Sequence, residues 1–117
     1  MKVLLFEPGK LAIEADISGD LKSMQNVVGG MIEVTYPFNE QAAVVCNDEG
    51  LLMGLPLNRK LNDSMVIAGT FFICGIDEDS FTDLSSDLME KFKNEFLYPQ
   101  MFFRVGDNIV AVPYAPK

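Results

Sequence analysis

Short segments in which apolar residues alternate with polar ones recur along the chain, and this pattern predicts β-strands. Residues 3–6 and 11–17 are the first two, joined by Glu7-Pro8-Gly9-Lys10, where proline and glycine hold the central positions of a type II turn. In 11–17 the apolar residues take every other position, which predicts one buried and one solvated face. The pattern indicates an opening β-hairpin.

Two segments have the three-to-four-residue spacing of amphipathic helices instead. The first covers residues 21–28, with capping residues Ser18-Gly19-Asp20 before it and Gly29-Gly30 after it. The second covers residues 81–97, where Ser80 and Asp83 resemble a capping box. Its apolar stripe consists of Phe81, Leu84, Leu88, Phe92 and Phe96.

The remaining strands are expected at 32–36, 42–46, 51–53, 65–75 and 109–112. Asn47-Asp48-Glu49-Gly50 lies between the second and third of these and favours a hairpin, whereas the polar residues 54–63 favour a loop. The apolar run 65–75 is typical of a central strand covered on both faces, with Gly69 a possible bulge. We therefore expect a single α+β domain over residues 1–117. It should have a mostly antiparallel sheet of about five to six strands and two helices, the longer one C-terminal.

The charge balance is strongly acidic, with 17 acidic against 9 basic residues and a net charge of −8. Such a field repels phosphate backbones and anionic lipids, so we expect no direct contact with nucleic acid or a membrane. It attracts basic protein surfaces, and a protein partner is expected on that ground. The alternative is that the acidity only maintains solubility.

The chain contains no histidine, which excludes Ser-His-Asp and Cys-His catalysis and most zinc and haem sites. Asp77 and Asp79 begin like a calcium loop. Phe81, Thr82 and Leu88 then occupy the positions where that loop needs an oxygen ligand, a glycine and a glutamate. We therefore expect no catalytic residues, no metal site and no cofactor.

The two cysteines, Cys46 and Cys74, both lie in apolar predicted strands and are expected to be buried thiols rather than a redox pair. The apolar run 3–6 is too short for the core of a signal peptide. The longest uncharged stretch, 64–76, is shorter than the roughly 20 residues of a membrane helix. These features predict a cytoplasmic protein.

One candidate binding surface is the polar side of the second predicted helix. On a helix, Asp79, Asp83, Asp87 and Glu90 would form a ridge with about 6 Å between successive acids, a spacing close to that of phosphates in DNA. Such a ridge suits a protein that mimics DNA. The alternative is an ordinary solvated face, because acids near a helix N-terminus are favoured by the macrodipole and Asp87 can pair with Lys91.

The second candidate is the predicted loop that contains Asn58 and Arg59. The guanidinium fork of arginine suits a carboxylate or phosphate ligand, and loops often carry binding sites. The alternative is that Arg59 pairs with an acid of this chain while Asn58 hydrogen-bonds to local backbone.

Five segments in order along the chain resemble a known family, domain of unknown function 3846. They are 2–10 (KVLLFEPGK), 28–33 (VGGMIE), 46–50 (CNDEG), 54–59 (GLPLNR) and 67–73 (IAGTFFI). The resemblance extends over about residues 2–103. It implies a small protein of bacteria, often found on phages and other mobile DNA, and it implies no catalytic residues.

These observations favour a small accessory protein of a mobile element that acts by binding a protein, with counter-defence by charge mimicry as the sharper version. The rival hypothesis is a domain or enzyme that binds a small anionic ligand in a pocket beside Arg59. A toxin–antitoxin or scaffold component is a third hypothesis. The sequence predicts neither the oligomeric state nor the strand order.

Overall fold

The computed structural model describes residues 1–117, which form ten strands and two helices. Every strand pairing is antiparallel, so the predicted α+β class is confirmed, as is the C-terminal position of the longer helix. The elements are β1 (Lys2–Phe6), β2 (Ile13–Asp16), α1 (Leu21–Val28), β3 (Ile32–Thr35), β4 (Ala42–Asn47), β5 (Leu57–Asn62), β6 (Met65–Ala68), β7 (Phe71–Asp77), β8 (Ser80–Thr82), α2 (Ser86–Phe96), β9 (Gln100–Val105) and β10 (Asn108–Pro113).

The main sheet has the strand order β2-β1-β7-β4-β3, and the short strand β8 pairs with the end of β7. Residues 71–74 of β7 have no exposed surface, which confirms the prediction of a central strand for that part of 65–75. The run is nevertheless broken at Gly69, where a φ of 80° turns the chain out of β6 before β7 begins. The expected bulge is therefore a strand boundary, and β6 pairs with β5 in a separate hairpin.

The sheet has an apolar core on each face. One core packs α1 residues Met24 and Val28 against the sheet, and the other packs Phe92 and Phe96 of α2. Leu61 and Ile67 of the β5–β6 hairpin belong to the α2 side. Burial of these residues supplies the main driving force for the fold.

Helix α1 has the predicted bounds and caps. The Asp20 carboxylate accepts the Ser23 N–H at 2.8 Å, and Gly29 ends the helix in the left-handed region at φ 81°. The opening turn is also as predicted, since Lys10 N donates to Glu7 O at 3.1 Å and Gly9 has a φ of 77°.

The face prediction for residues 11–17 is wrong at its start. Leu11 and Ile13 are 40% and 46% exposed, whereas Ala12 is buried on the α2 side, with its N–H bonded to Leu97 O. Strand β2 lies at the sheet edge and begins only at Ile13, so the alternation does not extend over the whole segment.

Two predictions in the middle of the chain are also wrong. Residues 51–53 form exposed turns rather than a strand, because Met53 N bonds back to Glu49 O and Gly54 N to Leu51 O. Residues 57–62 of the predicted loop form strand β5. The polar composition of β5 concealed it, since Asn58 and Arg59 are buried through hydrogen bonds rather than through apolar contact.

The second helix begins at Ser86, capped by Ser85, and not at Phe81. Phe81 lies in β8, which returns along β7 after a turn at Glu78 and Asp79, both with positive φ. Leu84 N then bonds to Lys2 O at 2.9 Å. This return needs Gly75, since a Cβ there would collide with the backbone oxygen of Asp83. Phe81 and Leu84 have the three-residue spacing of a helical stripe, but both precede the helix.

Strands β9 and β10 form a C-terminal hairpin; β10 contains the predicted strand 109–112, and β9 was not predicted. The hairpin is attached to the body through Lys60, whose N–H donates to Gln100 Oε1 at 2.8 Å and whose Nζ donates to Ile109 O at 2.9 Å. The two helices, of 8 and 11 residues, lack the length and apolar character that a membrane span requires.

Candidate functional sites

Arg59 lies inside the protein, with no exposed surface, on strand β5. Its side chain extends from β5 toward the C-terminus of α2, and its Cζ lies 5.3 Å from the centre of the Phe6 ring. Phe6 is stacked in turn on Phe71, with ring centroids 4.5 Å apart. The guanidinium is therefore in contact with an aromatic stack rather than with solvent.

All five N–H donors of this guanidinium are used within the chain. Nε donates to Phe96 O at 3.0 Å, and Nη2 donates to Lys10 O at 2.7 Å and to Leu97 O at 3.4 Å. Nη1 donates to Asn58 O at 3.2 Å and to Asn58 Oδ1 at 2.8 Å. An arginine has no further donor, so none remains for a ligand.

The cation is compensated by carbonyl dipoles and not by a carboxylate. Phe96 and Leu97 lie at the C-terminus of α2, where unpaired carbonyls carry the negative end of the helix dipole. Burial lowers the pKa of Arg59 to about 10, which still leaves the side chain protonated at neutral pH. The expected internal pairing of Arg59 thus occurs, but with helix-end carbonyls in place of an acid.

Asn58 completes this arrangement. Its Nδ2 donates to Phe6 O at 3.0 Å and to Gly69 O at 2.8 Å, while its Oδ1 accepts from Arg59. We call Asn58 and Arg59 the inner clasp, because together they join β1, the turn after it, β5, the end of β6 and the end of α2. The five principal surface clefts are all lined by other residues.

The four acids of the predicted ridge are exposed, but the structure does not place them on one helix face. Asp79 lies in the β7–β8 turn, and Asp83 precedes the helix, where its Oδ1 accepts the Lys2 N–H at 2.8 Å. Only Asp87 and Glu90 are in α2, three residues apart. The helical spacing that suggested phosphate mimicry is therefore wrong.

The ion pairs of the chain leave these four acids without a cationic partner. Lys91 pairs with Glu40 at 2.7 Å instead of with Asp87, and Lys93 pairs with Glu14 at 3.3 Å. The other two pairs engage Glu7 and Asp16. Residues 77–90, which we call the acidic segment, hold six acidic residues and no basic one.

Two shallow clefts lie along the acidic segment. One, of about 510 Å³, is lined by Asp77, Asp83 and Glu40 near the start of α2. The other, of about 420 Å³, includes Glu90 together with Lys2 and Lys93. Negative potential is therefore concentrated at the first cleft and is reduced by nearby lysines at the second.

Neither thiol of the chain has the lowered pKa of an activated nucleophile. Cys46 and Cys74 are buried and unpaired, and burial raises the pKa of each thiol to about 11. No three metal-ligating side chains converge on a point that could hold an ion. Every buried side-chain nitrogen or oxygen has a hydrogen-bond partner.

The C-terminal hairpin presents a surface that the sequence interpretation missed. Its outward residues are apolar: Met101, Phe103, Val105, Val110 and Val112, with exposed fractions between 39% and 58%. We call these five residues the hairpin face. The alternation of apolar residues at 101, 103 and 105 was the available signal.

A model of the DUF3846 family, a domain of unknown function, matches residues 1–97, and the chain therefore belongs to that family. No curated protein and no solved structure matched the chain. The family match ends at Leu97, one residue after α2, so the C-terminal hairpin lies outside it.

Proposed function

We propose that this protein is a small accessory protein that binds a basic surface of a protein partner through its acidic segment. One observation carries the proposal: Asp79, Asp83, Asp87 and Glu90 are all exposed, and none is paired with a lysine or arginine of the chain. Exposed charges of one sign steer a partner of the opposite sign and add specificity to the contact.

The identity of the partner rests on charge alone. A DNA-binding host enzyme has the basic surface that the proposal needs, and the resemblance to proteins of mobile elements supports counter-defence as the setting. The acids do not form a regular phosphate-like row, because Asp79 and Asp83 lie outside α2.

The structure favours this function over a small anionic ligand held by Arg59. Such a ligand would have to displace bonds to Phe96, Leu97 and Lys10 and enter a site without exposed surface. A thermal-shift screen of nucleotides and other anionic metabolites should accordingly leave the melting temperature unchanged. If one of these compounds raises the melting temperature of the wild type but not of Arg59→Met, the result would support binding of a small anionic ligand by Arg59.

The direct test is capture of partners from a bacterial lysate on the immobilised protein at low and high salt. The variant Asp79→Asn/Asp83→Asn/Asp87→Asn removes three charges, and asparagine at 83 keeps the oxygen that accepts the Lys2 N–H. We expect the captured proteins to be lost with the variant. They should also be lost at about 1 M salt, where screening acts within about 3 Å.

The matched control is Asp48→Asn/Asp63→Asn/Asp107→Asn, which changes the net charge equally at exposed positions outside the acidic segment. Retention of the captured proteins by this control assigns the contact to residues 77–90. Equal loss in both triple variants, or capture that persists in high salt, contradicts the proposal.

A further inference from the structure

The hairpin face is an apolar surface without a partner in the chain. The strand register places Met101 opposite Val112 and Phe103 opposite Val110, so these side chains stand together on one side of the β9–β10 ribbon. Phe103 is 51% exposed and Val105 is 58% exposed. A two-stranded ribbon in water ordinarily carries polar residues on its outer side.

The opposite side of the same ribbon faces the rest of the protein, so the apolar side faces outward. Phe102, Ile109 and Ala111 on that side are half-buried. The hydrogen bonds of Lys60 to Gln100 and Ile109 anchor both strands. The ribbon cannot turn to hide its apolar residues without breaking this attachment.

The charge distribution indicates what can approach this surface. Residues 1–97 contain 16 acidic and 7 basic residues, a net charge of −9, whereas residues 98–117 contain Arg104 and Lys117 against Asp107, a net charge of +1. Two copies of so acidic a chain repel each other over most orientations. The hairpin is the region where that repulsion is smallest.

We propose that the hairpin face is the contact surface of a reversible, two-fold symmetric dimer of this chain. An apolar patch without charges is complementary to itself, as a two-fold contact between identical subunits requires. The inference comes from the hairpin and is independent of the function proposed for the acidic segment.

The size of the face sets the strength of the dimer. Five apolar side chains about half exposed present roughly 400 Å² per copy, which lies within the range of about 300–600 Å² for the largest patch on a monomer. Two copies then bury about 800 Å², less than the 1,200 Å² or so of a stable complex. The dimer is therefore weak, with a dissociation constant of roughly 10 μM to 1 mM.

The test is sedimentation velocity of the full chain from about 10 μM to about 1 mM, the range that this area implies. We expect the sedimentation coefficient to rise with concentration and the association to strengthen in salt, because salt screens the repulsion between acidic bodies. Binding of a basic partner through the acidic segment weakens in salt, whereas the dimer strengthens. The two proposals can therefore fail independently, and each failure can be identified.

Phe103→Lys should weaken the association at least about tenfold, since it places a charge at the centre of the face. The matched control, Leu52→Lys, makes the same kind of change at a side chain 87% exposed in another part of the surface, and it should dimerise like the wild type. Circular dichroism confirms that both variants are folded. A wild-type chain that stays monomeric at the highest concentration overturns the proposal and leaves the face to a different protein. Undiminished association of Phe103→Lys also overturns it.

Discussion

The replacement Arg59→Met tests the inner clasp most directly, because methionine keeps a long apolar side chain over Phe6 and removes all five donors. Leu97 O keeps a partner, the Ala12 N–H at 2.9 Å. Phe96 O and Asn58 Oδ1 lose the bond they receive from Arg59, and a buried acceptor without a donor costs about 1–3 kcal/mol. Removal of a desolvated cation offsets part of this cost. We expect a net loss of about 3 kcal/mol in the free energy of unfolding.

Urea denaturation followed by far-UV circular dichroism measures this loss, since the chain has no tryptophan for fluorescence. Arg104→Met is the matched control: it changes the net charge equally at the only other arginine, which is exposed, and should alter stability by less than about 0.5 kcal/mol. Arg59→Lys should fall between wild type and Arg59→Met, because an ammonium offers three donors from one point and not a fork of five. Equal stability of the two methionine variants would refute the role assigned to Arg59.

Two further predictions concern the local geometry of the chain. Gly75→Ala should lower the free energy of unfolding by about 2 kcal/mol or more, because its Cβ meets the backbone at Asp83 O, while Gly19→Ala, whose Cβ has only Met1 Sδ at 3.8 Å, should be neutral in the same urea assay. Asp20→Ala should destabilise α1 in a pH-dependent manner. Hydrogen bonds from Ser18 and Ser23 hold the pKa of Asp20 below its usual value of 3.8, so its contribution is complete above that pH and disappears as the pH falls further. The melting temperatures of wild type and Asp20→Ala should therefore converge as the pH falls below 3.8, and a constant gap would contradict the assignment.

The sequence predicted the elements whose local signals agree with their tertiary surroundings. Helix α1 has an aspartate cap, an apolar stripe and a glycine stop, and its bounds were predicted to the residue. The continuous apolar run of 71–74 required cover on both faces, and the two cores supply it. In such cases local chemistry and packing require the same conformation.

The failures occurred where distant contacts decide the structure. Strand β5 carries Asn58 and Arg59 in its interior. Hydrogen bonds to carbonyls distant in sequence make that burial favourable: Phe6 O and Gly69 O for Asn58, and Phe96 O, Leu97 O and Lys10 O for Arg59. Phe81 has the spacing of a helical residue but lies in β8. The turn that leads into β8 has positive φ at two non-glycine residues, Glu78 and Asp79, and this conformation is uncommon for such residues. Nothing within a few residues of these positions indicates either outcome.

For the candidate sites, the sequence predicted the exposure of single residues but not which residues lie next to each other. The acids at 79, 83, 87 and 90 were correctly expected at the surface, since exposed carboxylates need only solvent, but their arrangement depended on where α2 begins. For Arg59 the sequence leaves a ligand-binding role and internal pairing both open, and the structure has internal pairing with carbonyls and not with an acid. The chemistry of each side chain can be read from the sequence, whereas its neighbours in space depend on the tertiary structure.

The inner clasp also has a consequence for the order of assembly. The bonds of Arg59 to Phe96, Leu97 and Lys10 join residues 37, 38 and 49 positions apart, so the chain must close long loops before the guanidinium meets these acceptors. Arg59 therefore gains these partners only once β5, the first turn and the end of α2 have come together. Once formed, these bonds make separate opening of the α2 terminus costly, and the region is expected to exchange its amide protons as one cooperative unit.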